Sequence, residues 1–232
     1  MSIAAQSSMN KIRLNCLVAA LLVLSGFTLG LAQQSPPKNK AEIRALIKQS
    51  RSKDLKTADE ASQTLSKIDA RSLPAFVSIL KRGKPCERVA VAEWIIDLDR
   101  NNGDLVPAMT EVARGGSLLS LFNLQEEMMC RRGAAFVLAL SADGIRVLTR
   151  LLKEGDLFER QSAIFAFDDL TETSNYPEGS FPAMKEAIPA IAKGTKEKDK
   201  TMSCMSDEVL GQIARGSDDE LSKLAKTYLH ED

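Results

Sequence analysis

The sequence predicts an all-α protein, an α-α superhelix of about five stacked helical hairpins, and three observations carry that prediction. The first is a recurring phrase. Leu73-Pro74-Ala75-Phe76 is followed nine residues after its proline by Gly83, and Val106-Pro107-Ala108-Met109 at the same distance by Gly116. Ile145-Arg146-Val147-Leu148 puts arginine in the proline slot and reaches Gly155 nine residues on, while Ile188-Pro189-Ala190-Ile191 meets its glycine early, at Gly194. The second observation is the spacing: successive phrases stand 33, 39 and 43 residues apart. That is the length of a helical hairpin too small to bury its own apolar face, so neighbours must stack. The third is that no segment shows the β-branched alternation of a strand.

Residues 1–32 are read separately, as a signal peptide. Lys11 and Arg13 precede an uncharged run from Leu14 to Ala32, and Gly30 and Ala32 are the small residues a signal peptidase reads. Cleavage is expected between Ala32 and Gln33, which makes the protein secreted or periplasmic. The competing reading is an uncleaved membrane anchor, since a run of 19 residues can just span a bilayer. Gly26, Thr28 and Gly30 weaken it as a membrane helix. Cys16 opens the apolar run instead of closing it, which argues against a lipoprotein signal.

The remainder divides into a leader with an N-terminal helix, 33–55, and a repeat domain, 56–232. Ile43, Leu46 and Ile47 mark the short amphipathic helix of the leader. The first hairpin runs from about Lys56 to Gly83, and its second helix carries Leu73, Phe76, Val77 and Leu80, the stripe of a helix with one buried side. Ser72 is its expected N-cap, and Pro74 sits in the first turn, where a missing N–H costs nothing. The second hairpin pairs 86–99 with 104–114, capped by Asp104. The third pairs 124–140, opened by Asn123 with Glu126 as a capping box, with a helix carrying Ile145, Leu148, Leu151 and Leu152. The fourth pairs 157–171 with 181–193 across an inserted loop, 172–180. Pro189 either falls inside that helix or kinks one that starts at Phe181. The fifth pairs 202–214 with 218–229.

The first helices share a second phrase. Cys86-Glu87-Arg88-Val89-Ala90, Cys130-Arg131-Arg132-Gly133-Ala134 and Phe158-Glu159-Arg160-Gln161-Ser162 align, with an arginine two residues before a small residue or its neighbour. An arginine there, followed by Pro-Ala-apolar on the second helix, resembles the HEAT-repeat (armadillo-like helical) family over roughly 56–229. The family's usual aspartate is not evident, and the repeat length is irregular. The resemblance implies that first helices line an outer face and second helices an inner one. Summed over the five hairpins, the first helices are net acidic and the second helices net basic, so it also implies an acidic convex side and a mildly basic groove.

Composition excludes much chemistry. The chain balances 31 basic against 31 acidic residues, and loss of Lys11 and Arg13 with the signal peptide leaves a slight acidic excess. Proteins held by phosphate neutralisation carry a basic excess, so nucleic acid is not an expected partner. The single histidine, His230, lies three residues from the end of this sequence, which leaves no His-based dyad or triad and no multi-histidine metal site. Asp97, Asp99, Asn101 and Gly103 resemble a calcium loop only superficially. The glycine is one position late, and Ala108 stands where a bidentate glutamate is required. Asp168-Asp169 is an adjacent carboxylate pair, but helix neighbours point about 100° apart and share a substrate poorly. No catalytic residue, cofactor or metal is expected.

Cys86, Cys130 and Cys204 fall near one phase of the first helices, the slot that Phe158 fills in the fourth, and read first as buried packing positions. A Cys86–Cys130 bond is left open, but facing positions on neighbouring helices are put about 8–10 Å apart, whereas a disulfide wants Cα atoms within roughly 7 Å.

The functional expectation is an exported, non-catalytic protein-binding scaffold whose partner is another protein or an anionic segment. Arg146, Arg150 and Lys153, spaced i, i+4 and i+7, share one helical face with Glu154 as the acidic residue to one side, and they are the candidate contacts. Tyr176 in the inserted loop is a second. Gly115 to Leu124, rich in large apolar residues, is either packed under its neighbours or a docking patch. Two alternatives come from other classes. Some HEAT-like proteins are bilin lyases, a resemblance that would assign chromophore chemistry to a thiol or to Asp168 and Asp169. A membrane-tethered assembly factor follows if the run 14–32 stays uncleaved.

Overall fold

Helix starts are set by side chains that satisfy the first free N–H groups. Asn39 Oδ1 accepts from Ala41 and Glu42, while Glu42 returns a bond to the Asn39 N–H at 2.8 Å, a complete capping box. Asp54, Ser141 and Asp199 cap their helices by the same chemistry. The computed structural model describes residues 38–115, 124–173 and 176–229. The expected signal peptide, its Ala32–Gln33 junction, the Asn123 cap and most of the 115–124 excursion lie outside those residues.

Among the described residues there are eleven α-helices and no strand. They are α1 Lys40–Ser50, α2 Leu55–Leu65, α3 Leu73–Arg82, α4 Pro85–Leu98, α5 Leu105–Arg114 and α6 Leu124–Ala139. The chain continues through α7 Ala142–Glu154, α8 Leu157–Thr173, α9 Phe181–Gly194, α10 Lys200–Arg215 and α11 Asp219–Leu229. None of them is long and apolar enough to cross a membrane.

Two rows of helices share one core. Helices α4, α6, α8 and α10 pack in succession, and α3, α5, α7, α9 and α11 do the same beside them. Each helix of the second row packs on the next helix of the first: α3 on α4, α5 on α6, α7 on α8, α9 on α10. Ile95, Leu138, Phe167 and Leu210 point inward from the first row, opposite Phe76, Met109, Leu148 and Ile191 from the second, all fully buried. Burying a side chain of this kind stabilises by roughly 1.5–3 kcal/mol, so the interlayer seam is the main source of stability.

The first hairpin differs from expectation. Helix α2 packs chiefly on α1, and it is α1 that meets α3 and α4. The leader helix thus takes the first-row position that the sequence reading gave to 56–69. The physical reason is apolar area: α1 offers the fully buried Ile43 together with Ile47, whereas α2 turns in only Ala61 and Leu65.

A row of arginines marks the first-row register. Arg44 Nη2 donates to Glu87 at 3.0 Å, and Arg88 Nη2 donates to the Ala108 carbonyl at 3.0 Å and to Glu111. Arg131 Nη2 donates to Glu127 at 2.8 Å. Arg160 donates to the Gly155 carbonyl at 2.8 Å and to Glu197. All four keep a buried Nε without a hydrogen-bond partner. The buried member on α6 is Arg131, not the Arg132 that the aligned phrases pointed to; Arg132 is exposed, stacked 4.2 Å above the Phe165 ring. The register slips because Ala134, Ala135 and Leu138 must face the core, and that set places residue 131 inward.

Two expected caps are diverted. Ser72 makes no cap bond; its Oγ accepts from the Lys38 N–H at 2.8 Å and ties the segment before α1 to the start of α3. Asp104 pairs with Lys81 at 2.8 Å, because its own backbone is already helical and holds the carboxylate away from the free N–H groups. On α9 the register question resolves. The helix starts at Phe181 with Pro182 in its first turn, and Pro189 sits inside it on the exposed side.

The cysteines part company. Cys86 and Cys130 are disulfide-bonded, with Cα atoms 5.1 Å apart, and Cys204 is free and exposed. The packing expectation fails because axis separation is not Cα separation. Each Cα stands about 2.3 Å off its axis, so facing residues on helices 8–10 Å apart bring Cα atoms to roughly 4–5 Å.

Candidate functional site

Among the described helices, α7 is the most sharply divided into a buried and an exposed side. Ser141 Oγ accepts from the Gly144 N–H at 3.1 Å and starts the helix, and Gly144 itself must be small because a Cβ there would strike the Leu138 carbonyl at 1.9 Å. From that fixed start the helical period turns Ile145, Val147, Leu148, Leu151 and Leu152 into the core. It leaves Arg146, Arg150 and Lys153 exposed on the opposite side.

The three cations share a face, as their spacing requires, but they are not equivalent. Arg146 Nη1 is bonded to Asp143 Oδ1 at 2.7 Å, an acidic neighbour one turn back that the sequence reading did not count. Arg150 and Lys153 make no ion pair among the described residues. Both are exposed, and Glu154, four residues after Arg150, forms an ion pair with neither. Exposed pairs such as Arg146–Asp143 contribute little, typically under 1 kcal/mol, so Arg146 can exchange Asp143 for a partner's carboxylate at small cost.

Further cations continue the pattern along the second row. The last turns of α3, α5, α7 and α9 carry exposed Lys81, Arg114, Lys153 and Lys193. Lys81, Arg114 and Lys153 each stand seven residues after the proline slot of their phrase, so the signal was in the repeat itself. It was missed because charges were counted within helices and not down the repeat. Lys81 is engaged by Asp104; Arg114 and Lys193 make no ion pair among the described residues.

Tyr176 does not join this face. Its ring packs, half-buried, against the core. Burial, with a contribution from the Asp218 charge, raises its phenol above the ordinary tyrosine range. Asp168 Oδ1 accepts from Gln212 Nε2 at 3.1 Å as part of a polar tie between α8 and α10. Asp97 belongs to α4, and the segment from Asp99 to Gly103 is a turn organised by Asn102, whose Nδ2 donates to Asp99 and whose Oδ1 accepts from the Asp104 N–H.

No protein-family model matches the chain, and no curated protein matches it.

Proposed function

We propose that this is an exported helical-repeat protein of the HEAT-like kind, a scaffold that binds another protein and catalyses nothing. The observation that carries the reading is the exposed cationic face of α7, continued by Arg114 on α5. Unneutralised arginine and lysine heads on a rigid helix suit carboxylates presented by a partner. The two stacked rows supply an extended surface on which such a partner can lie across several repeats. The chain beyond the signal peptide lacks the basic excess that binding by phosphate neutralisation calls for, which argues against nucleic acid as the occupant.

The test is co-purification from the extracytoplasmic fraction with the parent and with the triple variant Arg146→Glu, Arg150→Glu, Lys153→Glu. Binding should weaken steeply at low salt, while the far-ultraviolet circular dichroism spectrum is unchanged. A triple variant that retains the partner as tightly as the parent sinks the α7 site. Mass spectrometry of the same preparation should find Gln33 or a near neighbour as the first residue; an intact leader would favour the tethered form.

A further inference from the structure

The Cys86–Cys130 disulfide does more than join two helices; it lies on the wall of a cavity of about 610 Å³. That volume is within the range of small-molecule sites, roughly 300–1,000 Å³. The two sulfurs differ in access. Cys130 is 6 % exposed, whereas Cys86 is only partly buried, and its Sγ stands 3.8 Å from the Glu126 carbonyl oxygen. Cys86 occupies the first turn of the fourteen-residue helix α4, directly after Pro85. Arg51 Nη2 donates to the Cys86 carbonyl at 2.9 Å, and Lys84 lines the same cavity. A helix N-terminus and nearby cations both favour negative charge on a sulfur placed there.

We propose that Cys86–Cys130 is an exchange-active disulfide that reacts with a small zwitterionic thiol, with Cys86 as the sulfur attacked and Cys130 as the resolving thiol. The incoming thiolate attacks Cys86 Sγ, the Cys86–Cys130 bond breaks, and Cys130 leaves as a thiolate that takes up a proton. The product is a mixed disulfide on Cys86. A second thiolate attacks the small-molecule sulfur of that mixed disulfide and releases the oxidised small molecule, so that two thiols lose two electrons and the protein gains a dithiol. In the reverse direction a small-molecule disulfide reacts at the Cys86 thiolate, and Cys130 closes the bridge.

The choice of thiol follows from the charges left over in the cavity. Its wall carries Arg88 paired with Glu111, Arg131 paired with Glu127, and Glu87 paired with Arg44. Arg51, Lys84 and Glu126 remain without an ion-pair partner among the described residues. Two cations suit carboxylates and one carboxylate suits an ammonium group, the charge pattern of a peptide-like thiol.

The experiment uses the intact chain in a Cys16→Ser, Cys204→Ser background, which leaves the bridge cysteines as the only ones in the sequence. Reduced glutathione should open the disulfide of the folded protein with no loss of helical signal. Its rate per thiolate should exceed that of neutral 2-mercaptoethanol by about tenfold, after correction for intrinsic nucleophilicity. Oxidised glutathione should then load Cys130→Ser on Cys86 at least about tenfold faster than it loads Cys86→Ser on Cys130, read by intact mass. Reduction only under denaturing conditions, or equal loading of the two variants, overturns the proposal; equal rates with the two reductants overturn the zwitterionic thiol. The native-state reduction rate needs no variant at either bridge cysteine, so it decides the matter even if one of them misfolds. None of these readouts depends on partner binding.

Discussion

Gly133 on α6 faces Val89 on α4 so closely that a Cβ on the glycine would stand 2.8 Å from Val89 Cγ1. One turn before each of them stand Cys130 and Cys86, joined across the same seam. The bare glycine lets the helices close to the distance at which the bridge forms. Gly133→Ala gains helix propensity of just under about 1 kcal/mol but forces a stiff β-branched neighbour to move. The expected net result is a loss of about 1–2 kcal/mol in urea unfolding, since overpacking costs about 1–3 kcal/mol. Val89→Ala in the same chain should recover part of it. Additive losses in the double variant would mean that the two residues do not press on each other.

Ala134, the next residue on α6, is fully buried against the first-row seam. Ala134→Leu should destabilise by roughly 1–3 kcal/mol, because the extra methylenes have no space without backbone shifts. A neutral result would show that this face of α6 is looser than its burial indicates.

Loss of the bridge should be felt in stability as well as in exchange chemistry. The linked residues are 44 apart in sequence. Chain-entropy arguments put the cross-link of a loop that long at about 4 kcal/mol before any native strain is subtracted. Cys86→Ala with Cys130→Ala should therefore lower the urea midpoint with little change in helical content. An unchanged midpoint would mean that packing alone sets the α4–α6 spacing.

Tyr176 gives a prediction in pH. Its phenol is raised above the ordinary value of 10.0, first by burial and then by Asp218. A raised folded value means that the native state holds the proton longer than the unfolded chain does. Its contribution is fully present below about pH 10 and is lost as pH rises through the folded value. In a Tyr228→Phe chain, ultraviolet titration should show the remaining tyrosine ionising late, together with a fall in stability over the same alkaline interval. Ionisation at the free-tyrosine position would place the ring in water. Asp218→Asn should bring the titration part of the way back.

Partner binding should follow the repeat and not a single helix. If the cations that end α5 and α7 act on one ligand, Arg114→Glu should weaken co-purification less than the α7 triple variant and add to Lys153→Glu. An Arg114→Glu chain that binds like the parent would confine the contact to α7.

Several helices were legible because they are written in a 3.6-residue stripe closed by a glycine: Leu148, Leu151 and Leu152 before Gly155 are buried as their spacing requires. What escaped the sequence depends on choices between distant partners. Ser72 and Asp104 have the right chemistry to cap, but Lys38 and Lys81 draw their oxygens elsewhere. Arg131 and Arg132 are equal in sequence, and only the facing row decides which one is buried. The bridge was obscured by treating helix-axis distance as residue distance. For the candidate site, the shared face of Arg146, Arg150 and Lys153 was readable from their spacing, whereas the Asp143 contact and the half-burial of Tyr176 depend on how side chains settle.

The sulfur bridge also alters how this chain would carry load. If the folded protein were pulled from its two ends, force would pass from α4 to α6 through sulfur and bypass everything between Cys86 and Cys130. That segment, 44 residues in span, could not lengthen until the bond was cut. About 150 Å of contour is thereby kept out of reach at roughly 3.4 Å per residue. A thiol that opened the bridge would release that slack and convert a short, stiff tether into a long one.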